Sequence, residues 1–413
     1  METSSRPSSL ASDTQTQVLV IGAGPIGLAA AAILGKLGIR VRVIDKNNVR
    51  SDKSKALGVQ AGTLECLKKA FESSIAEEMV KAGRPTNQAW IHIEDVNPID
   101  VDLGTIPSKH NYILILPQSE TEHFLEEEAG KYSVRVERQT KLLAAVERDA
   151  KVYSTLKLPN GSIEEVVSDF VIVCDGAHRI VRKLLDIQFE GEHYTGDFIL
   201  GDVKVKWPWS ADSVRLFIRK KGIIASFPMK GDHLYRLILI PKFKIPPANS
   251  PDICLNEFKE ILAELSDGQI EVVESTWLTR FRVHHGLAHH FQKGRMFLAG
   301  DAAHIHSPAG GQGMNTGIQD ALNFGFKLAK VLDDKADISS LESYEKERLP
   351  VARAVVRSTD FVFKLALLTE NRFVNWGRKY LLPKVIGNRF LQRRMAGVIS
   401  EKTIAEKEIK IYI

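Results

Sequence analysis

The first informative part of the chain is a block of apolar residues interrupted by a glycine turn. Val18–Ile21 form a continuous apolar run, an alanine-rich stretch with helical spacing ends at Gly38, and Ile39–Asp45 follow with the pattern of a second strand. Continuous apolar runs are typical of parallel strands that are covered on both faces. This segment therefore predicts a strand, a helix and a second strand in one buried parallel sheet.

Helical and strand patterns alternate along the rest of the chain. The Asn160-Gly161 pair predicts a hairpin turn, because Asn-Gly favours the positive φ angles of such turns. The other expected elements are amphipathic helices near Gly62–Phe71 and Glu120–Ala129, a strand-rich stretch from about 132 to 175, short strands and one helix near 254–265 between about 190 and 280, a buried strand near 295, a helix from about 313 to 332, and helices after 340.

Composition places the chain among ordinary globular proteins. It has 413 residues, of which 44% are hydrophobic and 26% charged, enough for two or three connected domains. The net charge is +5, and residues 361–400 hold eight Lys or Arg against the single acid Glu370. No basic motif interleaved with aromatic residues precedes that stretch, so a nucleic-acid partner is not predicted.

Cysteine usage and the N-terminal sequence indicate a reducing, cytoplasmic location. Cys66, Cys174 and Cys254 are odd in number and widely spaced, which fits neither a redox pair nor a zinc signature. The first residues are polar, with no apolar run of the kind a secretory signal requires. No stretch reaches the roughly 18 apolar residues of a spanning helix.

The glycine turn has the spacing of a dinucleotide-binding loop. Gly22, Gly24 and Gly27 match G-x-G-x-x-G between a strand and a helix, where the helix N-terminus favours a phosphate group. Asp45 ends the second strand and can accept hydrogen bonds from a ribose, while Lys46 beside it belongs to the same predicted site. An acid at this position favours FAD or NAD over NADP as the bound nucleotide.

A second motif decides between these nucleotides. The segment from Arg295 to Asn315 reads RMFLAGDAAHIHSPAGGQGMN and resembles the second FAD fingerprint of the class A flavoprotein monooxygenases, the para-hydroxybenzoate hydroxylase type. The resemblance implies that Asp301, after Gly300, binds a ribityl hydroxyl. It further implies that a loop and helix N-terminus face the flavin pyrimidine edge through a set of four residues: Gly311, Gly313, Met314 and Asn315. A helix N-terminus there would stabilise the negative charge of reduced flavin.

Further matches extend the resemblance over roughly residues 16–360. The Asp175-Gly176 pair resembles a fingerprint associated with FAD and nicotinamide nucleotides, although Arg179 stands where the family usually has Ser. Lys55 stands where the family commonly has Arg, and Lys is not an equivalent clamp for phosphate. By resemblance, Gln118 contacts the flavin, a backbone group at Leu142 meets adenine, and Pro308 lies beside the reacting oxygen with a backbone role only.

The resemblance implies a fold, a domain division and an activity. The fold is α/β, with a doubly wound Rossmann-type FAD domain, an inserted β-sheet substrate domain and C-terminal helices. The expected domains are a disordered tail at 1–15, a discontinuous FAD domain at 16–190 and 281–345 with part of the substrate site near 86–110, a substrate domain at 191–280, and a helical region at 346–413. The implied activity is hydroxylation of a phenolic or other electron-rich ring, with FAD, NADPH or NADH, O2 and a flavin C4a-hydroperoxide.

Other interpretations remain open beside this one. The basic stretch 361–400 could contact a membrane surface, which would fit a flavoenzyme acting on a lipid or isoprenoid, but a helix packed on the FAD domain is favoured. The altered positions at 55 and 179 would also fit a flavin-binding protein without catalysis. His285 and His289 have the spacing of zinc ligands on a helix, yet no third ligand accompanies them and no metal is predicted.

Overall fold

The chain folds around two large mixed sheets, the first with a parallel centre and the second mainly antiparallel. The computed structural model describes residues 15–52, 56–177, 180–193, 197–243, 253–307, 310–367, 377, 397 and 400–410. The strands are β1 Gln15–Ile21, β2 Val41–Ile44, β3 Gly58–Val59, β4 Arg84–Thr86, β5 Gln88–Ile93, β6 Ile99–Asp102, β7 Ile113–Ile115, β8 Val136–Glu137, β9 Lys141–Arg148, β10 Lys151–Lys157, β11 Ile163–Val173, β12 Phe189–His193, β13 Phe198–Lys206, β14 Ser213–Arg219, β15 Gly222–Pro228, β16 Leu234–Pro241, β17 Glu271–Phe281, β18 His284–Ala288, β19 Gln292–Lys293, β20 Met296–Leu298 and β21 His304–Ile305. The α-helices are α1 Pro25–Lys36, α2 Ala61–Phe71, α3 Ile75–Ala82, α4 Gln118–Gly130, α5 Ile180–Leu184, α6 Leu255–Ser266, α7 Gly313–Leu332, α8 Glu342–Leu367 and α9 Lys402–Ile409.

The first sheet has the order β19-β20-β11-β1-β2-β8, and β1 pairs in parallel with β2 and β11. Strand β20 comes much later in the sequence than β11 and pairs with it in parallel. Helices α1 and α7 pack on this sheet, and α1 is alanine-rich, which lets it approach closely. The predicted strand, helix and strand at the N-terminus are confirmed, although β2 is shorter than expected.

The second sheet has the order β17-β13-β16-β15-β14-β5-β6. Its strands β13 to β17 come from the stretch expected to form a separate sheet. Strands β5 and β6 come from residues 88–102, so this sheet also draws on an earlier part of the chain. The predicted helix near 254–265 is α6, and it covers one face, which we call the outer face.

The opposite, inner face of this sheet contacts the segment around β3 and β7 and helix α8. Val214 and Phe227 of the inner face pack with Leu57 and Ile115, which belong to the first part of the fold. Phe363 of α8 packs on Phe198 at another position of the same face, with ring centroids 5.5 Å apart. The inner face therefore lies between the two parts of the fold.

Several expectations fall wholly or partly on residues outside the described ranges. These are the N-terminal tail, Lys55, Arg179, Pro308 and most of 361–400. Within the described part, no helix is both long and apolar enough to cross a membrane. The hairpin at Asn160-Gly161 is confirmed, with β10 and β11 antiparallel and Gly161 at φ +84°.

Candidate cofactor and active site

The glycine turn between β1 and α1 can be built only from glycine at two of its three positions. A Cβ on Gly22, which has φ +100°, would lie 2.4 Å from the carbonyl oxygen of Cys174. A Cβ on Gly27 would lie 1.9 Å from the carbonyl oxygen of Gly22. A Cβ on Gly24, by contrast, would meet no atom within 4 Å. The turn therefore packs tightly on the protein side and is open at Gly24, where α1 begins.

Asp45 is oriented by the same turn. Its Oδ2 accepts a hydrogen bond from the backbone N–H of Ala23 at 2.8 Å, and its Oδ1 accepts one from Asn47 at 2.8 Å. The backbone carbonyl of Asp45 accepts from Thr140, two residues before Leu142. Each carboxylate oxygen keeps a second lone pair, so the acid is fixed in place with acceptor capacity left for a hydroxyl.

Gly300 and Asp301 lie against the start of α1. A Cβ on Gly300, at φ +59°, would lie 2.7 Å from Cγ1 of Ile26 in the first turn of α1. Arg182, which is buried, donates from Nη1 to the carbonyl oxygens of Asp301 at 3.1 Å and Ala302 at 2.8 Å. The Asp301 side chain is exposed. The two nucleotide motifs thus meet in space although they are far apart in sequence.

The loop before α7 is braced by Asn315. The side chain of Asn315 donates to the carbonyls of Gly58 at 2.9 Å and Gly311 at 2.8 Å, and it accepts from the N–H of Gln60 at 2.8 Å. Gly311 has φ +60°, and a Cβ there would meet nothing within 4 Å. Because both donor hydrogens of the Asn315 amide are used and the side chain is buried, Asn315 holds the loop in place. Gly313 and Met314 begin α7, whose first N–H groups have no partner within the helix.

Asp175 is a half-buried carboxyl without a complete set of partners. Its Oδ1 is inaccessible to solvent and has no hydrogen-bond partner among the described residues. Burial raises the pKa of Asp175 to about 6, against the opposing charges of Arg182 and Lys46. Asp175 also adjoins the glycine turn, because a Cβ on Gly22 would come within 3.1 Å of its Cα.

Gln118 starts α4 beside the segment that leads into β3. Its backbone N–H donates to the carbonyl of Ala56 at 3.1 Å, and its side chain donates to Glu122 at 2.8 Å. The carbonyl of Ala56 also accepts from Arg236 of the second sheet at 3.3 Å. This segment therefore joins the predicted cofactor region to the inner face of the other sheet.

The inner face carries a charged pair next to that contact. Arg236 donates from Nε and Nη2 to the two carboxylate oxygens of Asp202, both at 2.7 Å. The guanidinium carbon lies 5.3 Å from the ring centroid of Trp277. Around this pair the apolar residues Leu216, Ala225 and Phe227 of the inner face are only half-buried.

A buried polar network beneath the α7 loop was not predicted from the sequence. Asp320 accepts from Arg348 at 2.6 Å and from His304 at 2.6 Å, and all three side chains are inaccessible to solvent. Nδ1 of His304 lies 2.9 Å from Nε2 of His306. Burial, reinforced by His304, lowers the pKa of His306 to about 3. Burial alone would raise the pKa of Asp320, but Arg348 and His304 outweigh it and lower that pKa.

The residues present fit a bound FAD. The α1 and α7 N-termini are without an acidic residue in their first turn, and both adjoin glycine positions that open outward, Gly24 and Gly311. Such termini favour anionic groups, namely phosphates and the pyrimidine edge of reduced flavin. Asp45 and Asp301 supply acceptors for the sugar and ribityl hydroxyls. Oδ1 of Asp175, beside the glycine turn, is a further acceptor that has no partner among the described residues.

The histidines considered as zinc ligands do not lie on a helix, as that interpretation required. His284 and His285 belong to β18, a strand, while His289 lies beyond its end. No cluster of three or more metal-binding side chains occurs in the part of the chain that the structure describes.

Together the fold and the glycine-lined helix N-termini define a nucleotide-binding α/β protein with an adjoining second sheet. The chain belongs to the FAD binding domain family, whose profile matches residues 15–359. This span includes every residue of the candidate cofactor site described above.

Relatives by sequence are named as aromatic or phenol monooxygenases. The chain is 32% identical to an uncharacterized aromatic compound monooxygenase of Bacillus subtilis, covering 93% of this chain and 75% of that protein. It is 32% identical to pentachlorophenol 4-monooxygenase of Sphingobium chlorophenolicum, covering 85% and 65%. Among solved structures, the Diels-Alderase PyrE3 of pyrroindomycin biosynthesis superposes with a TM-score of 0.79 at 25% identity, covering 94% and 80%.

These findings confirm the family resemblance, the α/β fold class and FAD as the cofactor. They also bear out, for the family, an FAD-dependent enzyme of the aromatic monooxygenase kind. The individual contacts to FAD and the domain boundaries stay predictions.

Proposed function

We propose that this protein uses NADPH or NADH and O2 to hydroxylate a small, electron-rich aromatic compound, with FAD as the resident cofactor. The observation that carries the proposal is the contact between two nucleotide motifs, Gly22–Gly27 and Gly300–Asn315, at the start of α1. Bound FAD would supply the redox and oxygen chemistry. Both named relatives by sequence are aromatic monooxygenases.

Several residues of the chain would hold FAD, each through a different kind of contact. Asp45 and Asp301 accept hydrogen bonds from hydroxyl groups, and the N-termini of α1 and α7 hold negative charge. Asn315 fixes the glycine loop, so its role is to position backbone groups. Lys46 and Arg182 offset charge near Asp175. By the resemblance, Lys55 stands where the family commonly has Arg, and Pro308 would lie beside the reacting oxygen.

The substrate would lie against the inner face, between the second sheet and the α7 loop. Half-buried apolar side chains there offer a surface for an aromatic ring, and Trp277 offers a stacking partner. Arg236 is already neutralised by Asp202, so this surface favours a neutral phenol over a strongly anionic ligand.

Trp277→Leu should raise the Michaelis constant for the aromatic substrate about tenfold and leave FAD content unchanged. Leu278→Val is the matched control, because its side chain packs in the cluster of the outer face.

The decisive test measures NAD(P)H oxidation across a panel of phenols under ¹⁸O2. The expected result is oxidation accelerated by an aromatic ligand, with one ¹⁸O atom in the product. Anaerobic stopped-flow should show that the same ligand speeds flavin reduction, because substrate binding selects the reducible state. If reduction is equally fast without any aromatic and all oxygen appears as hydrogen peroxide, the hydroxylase proposal is wrong.

A second candidate function is a cyclisation without net redox change. The observation that favours this candidate is the superposition on a Diels-Alderase structure over 94% of this chain. It would require FAD to act structurally and the inner face to hold a folded polyene. Substrate turnover that persists without NAD(P)H and O2 would support this candidate against the first.

A further inference from the structure

The outer face of the seven-stranded sheet buries a positive charge that the proposed function does not use. Arg215 of β14 is 4% exposed, and its Nη1 donates to Nε2 of His92 at 3.1 Å. Its Nε–H has no hydrogen-bond partner in the described part of the chain. The acids beside this strand are engaged elsewhere, because Asp212 pairs with Arg84 and Asp267 with Arg219.

Three buried hydroxyl groups share the face with Arg215. Ser226 is its cross-strand partner, Ser213 lies two residues earlier on the same strand, and Tyr235 comes from the next strand. All three are at most 1% exposed, and their oxygens have no hydrogen-bond partner within the described ranges. Trp207 packs on Tyr235 with ring centroids 4.3 Å apart, and its indole N–H can only donate to the Tyr235 oxygen, which leaves the hydroxyl hydrogen of Tyr235 available to an anion. The cluster therefore offers hydroxyl hydrogens and the Nε–H of Arg215 as donors, and it contains no anionic group among the described residues.

Aromatic rings enclose the same guanidinium. The ring centroids of Trp90 and Trp209 lie 5.9 Å and 5.8 Å from its central carbon. Phe217 stacks on His92 at 4.5 Å. These walls keep the local dielectric constant low, which makes an unpaired charge costly and strengthens its attraction for a counter-ion.

His92 does not supply the missing negative charge. Burial, with Arg215 and Arg219 adding to it, lowers the pKa of His92 to about 4, so the ring is neutral at pH 7. Burial likewise lowers the pKa of Arg215, and the group that opposes this shift is Tyr235 and not a carboxylate. The cluster therefore has one uncompensated positive charge.

We propose that Arg215, Ser213, Ser226 and Tyr235 bind one small monovalent anion behind the substrate-facing strands. A single guanidinium with three hydroxyl donors suits a halide or a compact carboxylate such as formate. Val214 and Leu216 point from the same strand to the inner face, so a bound anion would also stiffen the surface on which we place the substrate.

The test uses the FAD-loaded protein at constant ionic strength, with chloride, bromide or formate replacing bulky gluconate. Tryptophan fluorescence should change saturably, and the melting temperature should rise with the logarithm of anion concentration above the dissociation constant. Formate active without halide would identify a carboxylate site, and halide alone a halide site. A bromide-soaked crystal should show an anomalous peak beside Nε of Arg215.

Variants separate this site from general salt effects. Arg215→Met should abolish the saturable response, whereas Arg219→Met, on the same strand but paired with Asp267, should keep it. If Arg215→Met does not fold, the Ser213→Ala/Ser226→Ala double variant should raise the half-saturating concentration about tenfold. A linear response shared equally by all anions, or bromide density only at molar concentration, would overturn the proposal. These measurements of anion binding do not depend on monooxygenase activity.

Discussion

At the scale of single residues, Asp301 tests the proposed cofactor contact most directly. A charge-assisted hydrogen bond to a hydroxyl contributes ~1.5 to 3 kcal/mol. Asp301→Ala should therefore weaken FAD binding about ten- to a hundred-fold in a titration followed by flavin fluorescence. Asp333→Ala, at the other end of α7, is the control. Equal FAD affinity in both variants would remove Asp301 from the site.

The buried pair of Asp320 and Arg348 calls for a double-variant measurement. Asp320→Asn removes the carboxylate that the solvent-inaccessible guanidinium of Arg348 pairs with and should lower the free energy of unfolding by about 3 kcal/mol. Adding Arg348→Met removes the buried positive charge as well and should restore part of the loss. Urea unfolding of the two single variants and the double variant gives the coupling. Additive losses would show that the pair does not act as a unit.

At the scale of elements, the close packing of α1 on α7 positions the two glycine-lined helix N-termini of the proposed cofactor site. A Cβ on Gly317 of α7 would lie 2.6 Å from Cγ1 of Ile26. Gly317→Ala should therefore push the helices apart, lower FAD occupancy and destabilise the fold by about 1 to 3 kcal/mol despite its better helix propensity. Gly130→Ala in α4 is the control, because a Cβ there meets nothing within 4 Å. Adding Ile26→Ala should recover FAD occupancy; no recovery would contradict this packing explanation.

The same elements show what the sequence could and could not predict. Periodicity placed α7 at its observed bounds, because its apolar stripe is long and its glycine start is clear. Strands β5 and β6 were not identified as strands of the second sheet, because their pairing with β14 depends on contacts far apart in sequence. The Asp320 network was missed for a related reason. Its polar side chains are recognisable as buried only when α8 brings Arg348 onto them.

At the scale of the whole molecule, the last described helix is tied to the centre of the fold. Glu401 is buried and accepts hydrogen bonds from Thr316 at 2.9 Å and Gln319 at 2.7 Å. Gly62 makes the close approach possible, since a Cβ there would lie 2.8 Å from the backbone of Glu401. The C-terminal segment thus reaches α7 just behind the proposed flavin-facing loop.

This contact should depend on pH. Burial raises the pKa of Glu401 to about 8, although Thr316 and Arg348 oppose it. A carboxyl with a raised pKa stabilises the fold when protonated, and that contribution is lost as the pH rises from about 4.3 through 8. Glu401→Gln should therefore raise the free energy of unfolding at pH 8 by ~1 to 3 kcal/mol and flatten its pH dependence. Glu406→Gln, exposed on α9, is the control; identical pH profiles for wild type and Glu401→Gln would refute this expectation.

The parallel pairing of β20 with β11 also has a consequence for biosynthesis. Strand β11 ends at Val173, and its neighbour β20 ends about 125 residues later, at Leu298. At a translation rate of ~5 to 20 residues per second, the edge of β11 at Val171–Val173 waits roughly 6 to 25 s for its partner strand. An unpaired apolar edge is a template for pairing with another chain. We therefore expect the yield of folded protein to depend on temperature and on chaperones that cover β11 during synthesis.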